Sequence, residues 1–284
     1  MIKIILILLT FVVGKLAGQH KRFLCEYEFV PDSTDMQKKI SEIMVLEVGP
    51  GRSEFFSLQK MKLDSTLVEK RSKGINDYRF TMSEYVPDYR IVKYPQEKAI
   101  DHKVTLGVTN YLLKDDREII WHLHQEFTDV ADFRAQLATA FFAGRKWAAY
   151  FSRELTVQDG PYKFRGLPGL IVKLADEANQ HRFELVSIEN SVGDFVYPSA
   201  ISLHSLPVID YNKYKQKFQE YRENPAADLY GIIPDQPDMN GNMKTGTEIW
   251  LEISRKEKDR LARDNNILEL DLLYPDTVFR SEGQ

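Results

Sequence analysis

The stretch Gln158-Asp-Gly-Pro-Tyr-Lys-Phe-Arg-Gly-Leu-Pro-Gly-Leu-Ile-Val-Lys-Leu-Ala175 alternates aromatic and apolar residues with polar ones and punctuates them with Gly160-Pro161 and Pro168-Gly169. Period-two alternation between turn dipeptides is the pattern of antiparallel strands. It predicts strands over 161–165 and 169–175 joined as a β-hairpin, with Gly166, Leu167, Pro168, Gly169, Leu170 and Ile171 as the structural turn. Pro168 presets φ for the first central position of a type II turn, and Gly169 supplies the positive φ required at the second. Leu167, Leu170 and Ile171 are then the apolar flanks that fasten the turn to a core.

The same short period runs through most of the chain. It predicts strands near 21–30, 41–48, 52–59, 77–83, 88–94, 102–113 and 117–127, then near 132–141, 146–156, 181–190 and 246–253. Gly49-Pro50-Gly51, Asp115-Asp116, Ala143-Gly144-Arg145 and Asp159-Gly160-Pro161 are the expected connections. This succession implies a mainly β protein, an antiparallel meander forming a curved or half-open, barrel-like sheet.

Two helices are expected in the C-terminal third. Asp210 can cap one that carries Tyr211, Tyr214, Phe218 and Tyr221 at helical spacing and stops at Asn224-Pro225. Its aromatic stripe reads as the face that packs on the sheet. Ser254 and Glu257 form a capping box for a second helix through Arg263. Residues 225–246, rich in Pro, Gly, Asn and Asp, read as a long loop. Asp235, Asp238, Asn240 and Asn242 fall short of a calcium loop, because the glycine is misplaced and the bidentate glutamate is missing.

At the N-terminus Lys3 precedes an apolar run over residues 4–13, followed by the small residues Gly14, Ala17 and Gly18. That is the layout of a secretory signal peptide. The run is about half of the roughly 20 residues needed to cross a bilayer, so residues 1–18 are expected to be a cleaved leader and 19–284 a single β-rich domain. Leu16-Ala17-Gly18-Gln19 places glutamine where a lipoprotein signal needs its acylated cysteine, so no lipid and no transmembrane span are expected in the mature chain. Losing Lys3 and Lys15 leaves 36 basic residues against 42 acidic ones and moves the formal charge from −4 to −6. Such a surface repels a phosphate backbone, which argues against nucleic acid as a partner. Export to an oxidising compartment favours paired thiols, yet Cys25 is the chain's single cysteine, so no internal disulfide is possible. Cys25 shares a strand face with Phe23, Tyr27 and Phe29 and reads as a buried small hydrophobe.

The hexapeptide 166–171 is identical, letter for letter, to the signature of the GLPGLI family of bacterial exported proteins, and the chain resembles that family along most of its length. Matching pieces include 27–32, Leu46-Glu47-Val48-Gly49 with Ser53-Glu54-Phe55-Phe56-Ser57, Asp64-Ser65, and Asn266-Ile267-Leu268-Glu269-Leu270. The alanine content of 131–142 favours helix by propensity, but the resemblance implies a strand there. Family members run a strand into Gly-Arg-aromatic, here Gly144-Arg145-Lys146-Trp147, and then into an aromatic-rich strand, here Ala148-Ala149-Tyr150-Phe151-Ser152. Other members carry a second cysteine near the position of Ala135, so the bridge implied for them is absent here. The resemblance implies an exported protein of a diderm bacterium, in the periplasm or at the outer membrane, with no biochemical activity attached to the family.

The best candidate for a metal site is a single segment. In Trp121-His122-Leu123-His124-Gln125-Glu126-Phe127 a strand would place His122, His124 and Glu126 on one face and Trp121, Leu123 and Phe127 on the other. Two imidazoles and a carboxylate make a partial zinc set, although the same alternation is the ordinary signature of a half-buried strand with a solvated side. Ser57-Leu58-Gln59-Lys60 has the Ser-x-x-Lys spacing without its companion motifs, and no Gly-x-Ser-x-Gly, phosphate loop, dinucleotide fingerprint or His-Glu-x-x-His occurs. No cofactor is expected. The reading is a non-enzymatic envelope protein that binds an apolar or peptidic ligand or an outer-membrane receptor in an aromatic-lined cleft. The alternative is a metal-dependent hydrolase built on His122, His124 and Glu126.

Overall fold

The computed structural model describes residues 20–75, 86–191, 193–238 and 240–275. The expected leader at 1–18 and strand at 77–83 lie outside them. Two antiparallel meanders make up the body. The first runs β1 (His20–Phe29), β2 (Ile40–Val48), β3 (Ser53–Ser57), helix α1 (Leu58–Ser72), β4 (Arg90–Lys93), β5 (Ile100–Leu106) and β6 (Thr109–Asp115). The second runs β7 (His122–Val130), β8 (Phe133–Phe142), β9 (Arg145–Ser152), β10 (Leu170–Asp176) and β11 (His181–Ser191). The first and last of these strands pair, from His20 opposite Ser191 to Phe29 opposite His181, and fuse both meanders. With β12 (Val208–Asp210) added parallel to β6, the result is one 12-stranded sheet in the order β12-β6-β5-β4-β3-β2-β1-β11-β10-β9-β8-β7.

The connectivity dictates the shape. Strands β6 and β7 stand near opposite ends of this order, ten strand spacings apart, or roughly 48 Å if the sheet were flat. Residues 116–121 join them directly and span at most about 25 Å. The sheet therefore curls into an open half-barrel, as the alternation predicted, and does not close.

The concave side holds the main core, with Phe23, Tyr27, Met44, Phe55, Trp147, Phe151, Leu174 and Phe183 pointing inward. Cys25 is buried with them, as expected, and burial pushes its thiol up to about 12. On the convex side Val45 and Phe56 pack with Tyr197, and Val92 and Leu112 with Leu203. Strands β2 to β4 are thus covered on both faces, which is why β3 is buried at every position and does not alternate.

After β12 come α2 (Tyr211–Glu223), the short pair β13 (Gln236–Pro237) and β14 (Met243–Lys244), α3 (Gly246–Arg263) and a single turn, α4 (Leu270–Leu273). Asp210 caps α2 through the Lys213 amide, and Tyr214 and Phe218 are buried beneath it.

Several expectations are corrected. Residues 246–253 are helix, not strand, because the capping box belongs to Thr245 and Glu248, one helical segment earlier than Ser254 and Glu257. Gly246 opens that helix, and a Cβ there would lie 1.8 Å from the Ile233 carbonyl oxygen. The strand expected over 52–59 ends at Ser57, whose hydroxyl accepts from the Lys60 amide and caps α1. The Ser-x-x-Lys spacing is therefore a helix start. The strand expected over 102–113 is two strands that turn at Gly107, whose φ is +60°. The strand expected at 117–127 begins only at His122, because 116–121 is the crossing between meanders. Residues 133–142 are strand, as the resemblance implied, with Ala135 and Ala138 sealed in the core and 131–132 forming the turn before it.

Candidate functional site

Of the hairpin expected from strands over 161–165 and 169–175, the second strand is present as β10 and the first is not. Residues 153–169 instead leave β9, enter the concavity and return to β10 as a plug. Pro161, Tyr162, Lys163 and Phe164 are all buried, so no solvent-facing side remains to support a ladder. Gly169 N–H donates to the Leu167 carbonyl at 2.8 Å, which closes a three-residue turn around Pro168 where a four-residue type II turn was expected. Leu167, Leu170 and Ile171 are sealed in the core, while Gly166 is exposed at φ +93°.

A charged cluster pins the plug. Lys163 Nζ donates to Asp115 at the end of β6, at 2.7 Å, and to Glu269 just before α4. Arg117 bridges the same carboxylates at 2.7 and 2.6 Å and stacks 3.5 Å over the Tyr211 ring. Tyr162 Oη donates to Glu269 at 2.5 Å. Burial raises the Glu269 carboxyl, but the Lys163 and Arg117 cations outweigh it and hold it at about 2. Asp115 is depressed by the same two cations against the same burial.

Above this cluster lies a cleft of about 280 Å³. The inner face of β1 contributes Tyr27 and Phe29, and α2 contributes Tyr214 and Phe218. Tyr89 precedes β4, and Tyr162 rises from the plug. One wall is a hydrogen-bonded chain: His181 Nε2 lies 2.8 Å from the Asn266 carbonyl oxygen and must donate, so Nδ1 accepts from Tyr27 Oη at 2.7 Å. Arg145 braces Asn266 at 2.6 Å and Asp176 at 2.8 Å behind it. His102 of β5 lines the cleft between the Tyr89 and Tyr162 rings, with its Nδ1 lacking any hydrogen-bond partner. Burial, then the Lys163 charge, lowers its pKa to about 3, so the ring is neutral. At the rim Lys103 pairs with Asp88 at 2.8 Å.

Chemically the cleft offers ring faces, a neutral imidazole, and the polar side chains of Asp88, Lys103, Thr105 and Asp264. Sequence reasoning named Tyr27, Phe29, Tyr214 and Phe218 as packing residues but did not bring them together. His102 sat inside an unbroken strand, and Asn266 and Glu269 appeared only as a short match near the end. The available signal was a buried-type segment, Asn-Ile-Leu-Glu-Leu, carrying two polar residues.

The suggested metal face lies elsewhere. His122, His124 and Glu126 are exposed on β7, the free edge strand, where the register to β8 jumps between Leu123 and Phe127. Residues 122–129 of this edge strand are exposed on both faces, so Leu123 and Phe127, expected in the core, are exposed. His124 Nε2 engages Thr139 Oγ1 at 2.8 Å. Among the described residues, no group of three or more His, Cys, Asp or Glu side chains is arranged to hold a metal ion. No described helix is long and apolar enough to cross a membrane.

No family model matches the chain, and no curated protein does. Solved structures of PNGF-II are similar. In the C2 crystal form the match covers 72% of this chain and 33% of that one, at 12% identity and a TM-score of 0.48. In the P21 form it covers 72% and 34%, at 13% identity and the same TM-score of 0.48. The chain thus spans about a third of the length of those proteins.

Proposed function

We propose that the protein is a non-enzymatic binding protein of the bacterial cell envelope, exported to the periplasm or outer membrane. It holds a small apolar or peptidic ligand in the aromatic cleft, or presents that cleft to an outer-membrane receptor. The cleft itself carries the reading: Tyr27, Phe29, Tyr89, Tyr162, Tyr214 and Phe218 converge on one opening of the half-barrel. Such a surface suits an amphipathic ligand, because aromatic faces supply much apolar area at little entropic cost. Tyr27, His181, Tyr162 and Glu269 spend their polar atoms on one another or on the plug and the segment after α3, so these residues offer a ligand their rings, while Asp88, Lys103, Thr105 and Asp264 supply polar contacts. The export part of the reading rests on residues 1–18 and on the GLPGLI resemblance.

The test is mass spectrometry of small molecules released on denaturing protein purified from its native envelope fraction. The comparison is Thr105→Trp, which places a large ring at the exposed rim of the cleft. A compound released by the wild type and lost from the variant is expected. Release from neither, or recovery of the unprocessed chain in the cytoplasmic fraction, overturns the reading.

A further inference from the structure

A second cavity, of about 260 Å³, opens on the convex face beside the β2–β3 turn. Glu47 of β2 and Glu54 of β3 stand directly opposite each other in the ladder, and both line this cavity. Like charges on such a pair repel, with Cβ atoms about 5 Å apart. Both side chains are nearly sealed, at 3% and 2% exposure. Each uses one oxygen: Arg22 Nε donates to Glu47 Oε2 and Arg90 Nε to Glu54 Oε1, both at 2.7 Å. Their other oxygens, Glu47 Oε1 and Glu54 Oε2, have no hydrogen-bond donor. Arg52 does not fill the gap, standing 3.9 Å from Glu54 Oε2 and donating instead to the Phe195 carbonyl at 3.2 Å. A third carboxylate, Asp194, sits at the mouth beside His20 at 3.1 Å.

Buried carboxylate oxygens without donors are expensive, and proteins rarely retain two side by side. We propose that this cavity binds an organic cation rich in N–H donors, a guanidinium or a primary ammonium group. Such a head presents several donors and reaches both free oxygens at once. The space beyond the carboxylates, walled by Phe195 and Pro50, takes the alkyl stem. A bare hard cation fits worse, since it needs six or so oxygen ligands around it. The site is independent of the aromatic cleft.

Calorimetric titration of the folded chain tests this with methylguanidinium, butylammonium, a Gly-Gly-Arg-Gly-Gly peptide and calcium chloride. Both organic head groups are expected to saturate, with affinity about tenfold weaker in Glu54→Gln, since a charge-assisted hydrogen bond is lost. Asp194→Asn, whose side chain is 93% exposed, is expected to weaken binding about twofold to threefold through its lost surface charge. Its melting curve and that of Glu54→Gln establish that both remain folded, and if Glu54→Gln does not, Asp194→Asn carries the test. Tighter binding of the peptide than of methylguanidinium assigns the cation to a partner's side chain, and equal binding assigns it to free amines. Saturation by calcium alone, saturation by nothing, or unchanged affinity in the folded variants overturns the proposal.

Discussion

A methyl group at position 169 would sit 2.1 Å from the Ser152 carbonyl oxygen, inside the seam between β9 and β10. Backbone cannot yield as a flexible side chain can. Gly169→Ala is expected to cost about 3 kcal/mol, or roughly 6–12 °C in melting temperature for a domain of this size, read by thermal melts. Cys25 makes the opposite point, because its environment silences it. With the thiol raised to about 12 by burial, it is expected to resist alkylation at pH 8 in the native protein and react fully in denaturant. His102 contributes to acid behaviour. Its folded pKa, about 3, lies below the ordinary 6.5, so the unfolded chain binds the extra proton first. Its stability contribution is complete above pH 6.5 and falls by about 1.4 kcal/mol per pH unit below it. His181, also lowered by burial and by Arg145, adds a second proton in the same direction. Denaturant midpoints measured from pH 7 to pH 4 are expected to decline, and His102→Leu is expected to flatten that decline by about one proton.

At the scale of elements, the plug is held by charge as well as by packing. Lys163→Met would leave Asp115 and Glu269, both nearly sealed, sharing Arg117 as their one remaining charged partner in the cluster. That is expected to destabilise by on the order of 3 kcal/mol, measured by urea unfolding. Thr245→Ala removes the cap of α3 and is expected to cost about 1 kcal/mol by the same measurement. Legibility followed exposure. Strands β1 and β11 were readable because each keeps a largely polar outer face, β8 and β9 through the family resemblance, and α2 because Asp210 and its aromatic stripe obey local rules. The plug was misread as a hairpin because Tyr162, Lys163 and Phe164 are buried together, which no period-two pattern reports. Helix α1 was missed because Ser57 both ends a strand and caps a helix, and its residues show little apolar periodicity. The cleft was the least legible part. His102, His181 and Glu269 meet only through curvature of the sheet and lie far apart in the chain.

For the whole molecule, the pairing of β1 with β11 is the keystone. Neither meander can bury its concave face without the other, since the same core receives Phe23, Phe55, Trp147 and Phe183. A chain ending at residue 176 is therefore expected to show no cooperative melt by circular dichroism, even though it retains ten of the strands. The seam also sets a clock. A chain that emerges N-terminus first presents β1 at the outset and its partner only much later, on the order of ten seconds at ordinary synthesis rates. Through that interval one edge of β1 has no mate and the inner aromatics have no lid. The incomplete chain is therefore expected to bind holdase chaperones until its eleventh strand arrives.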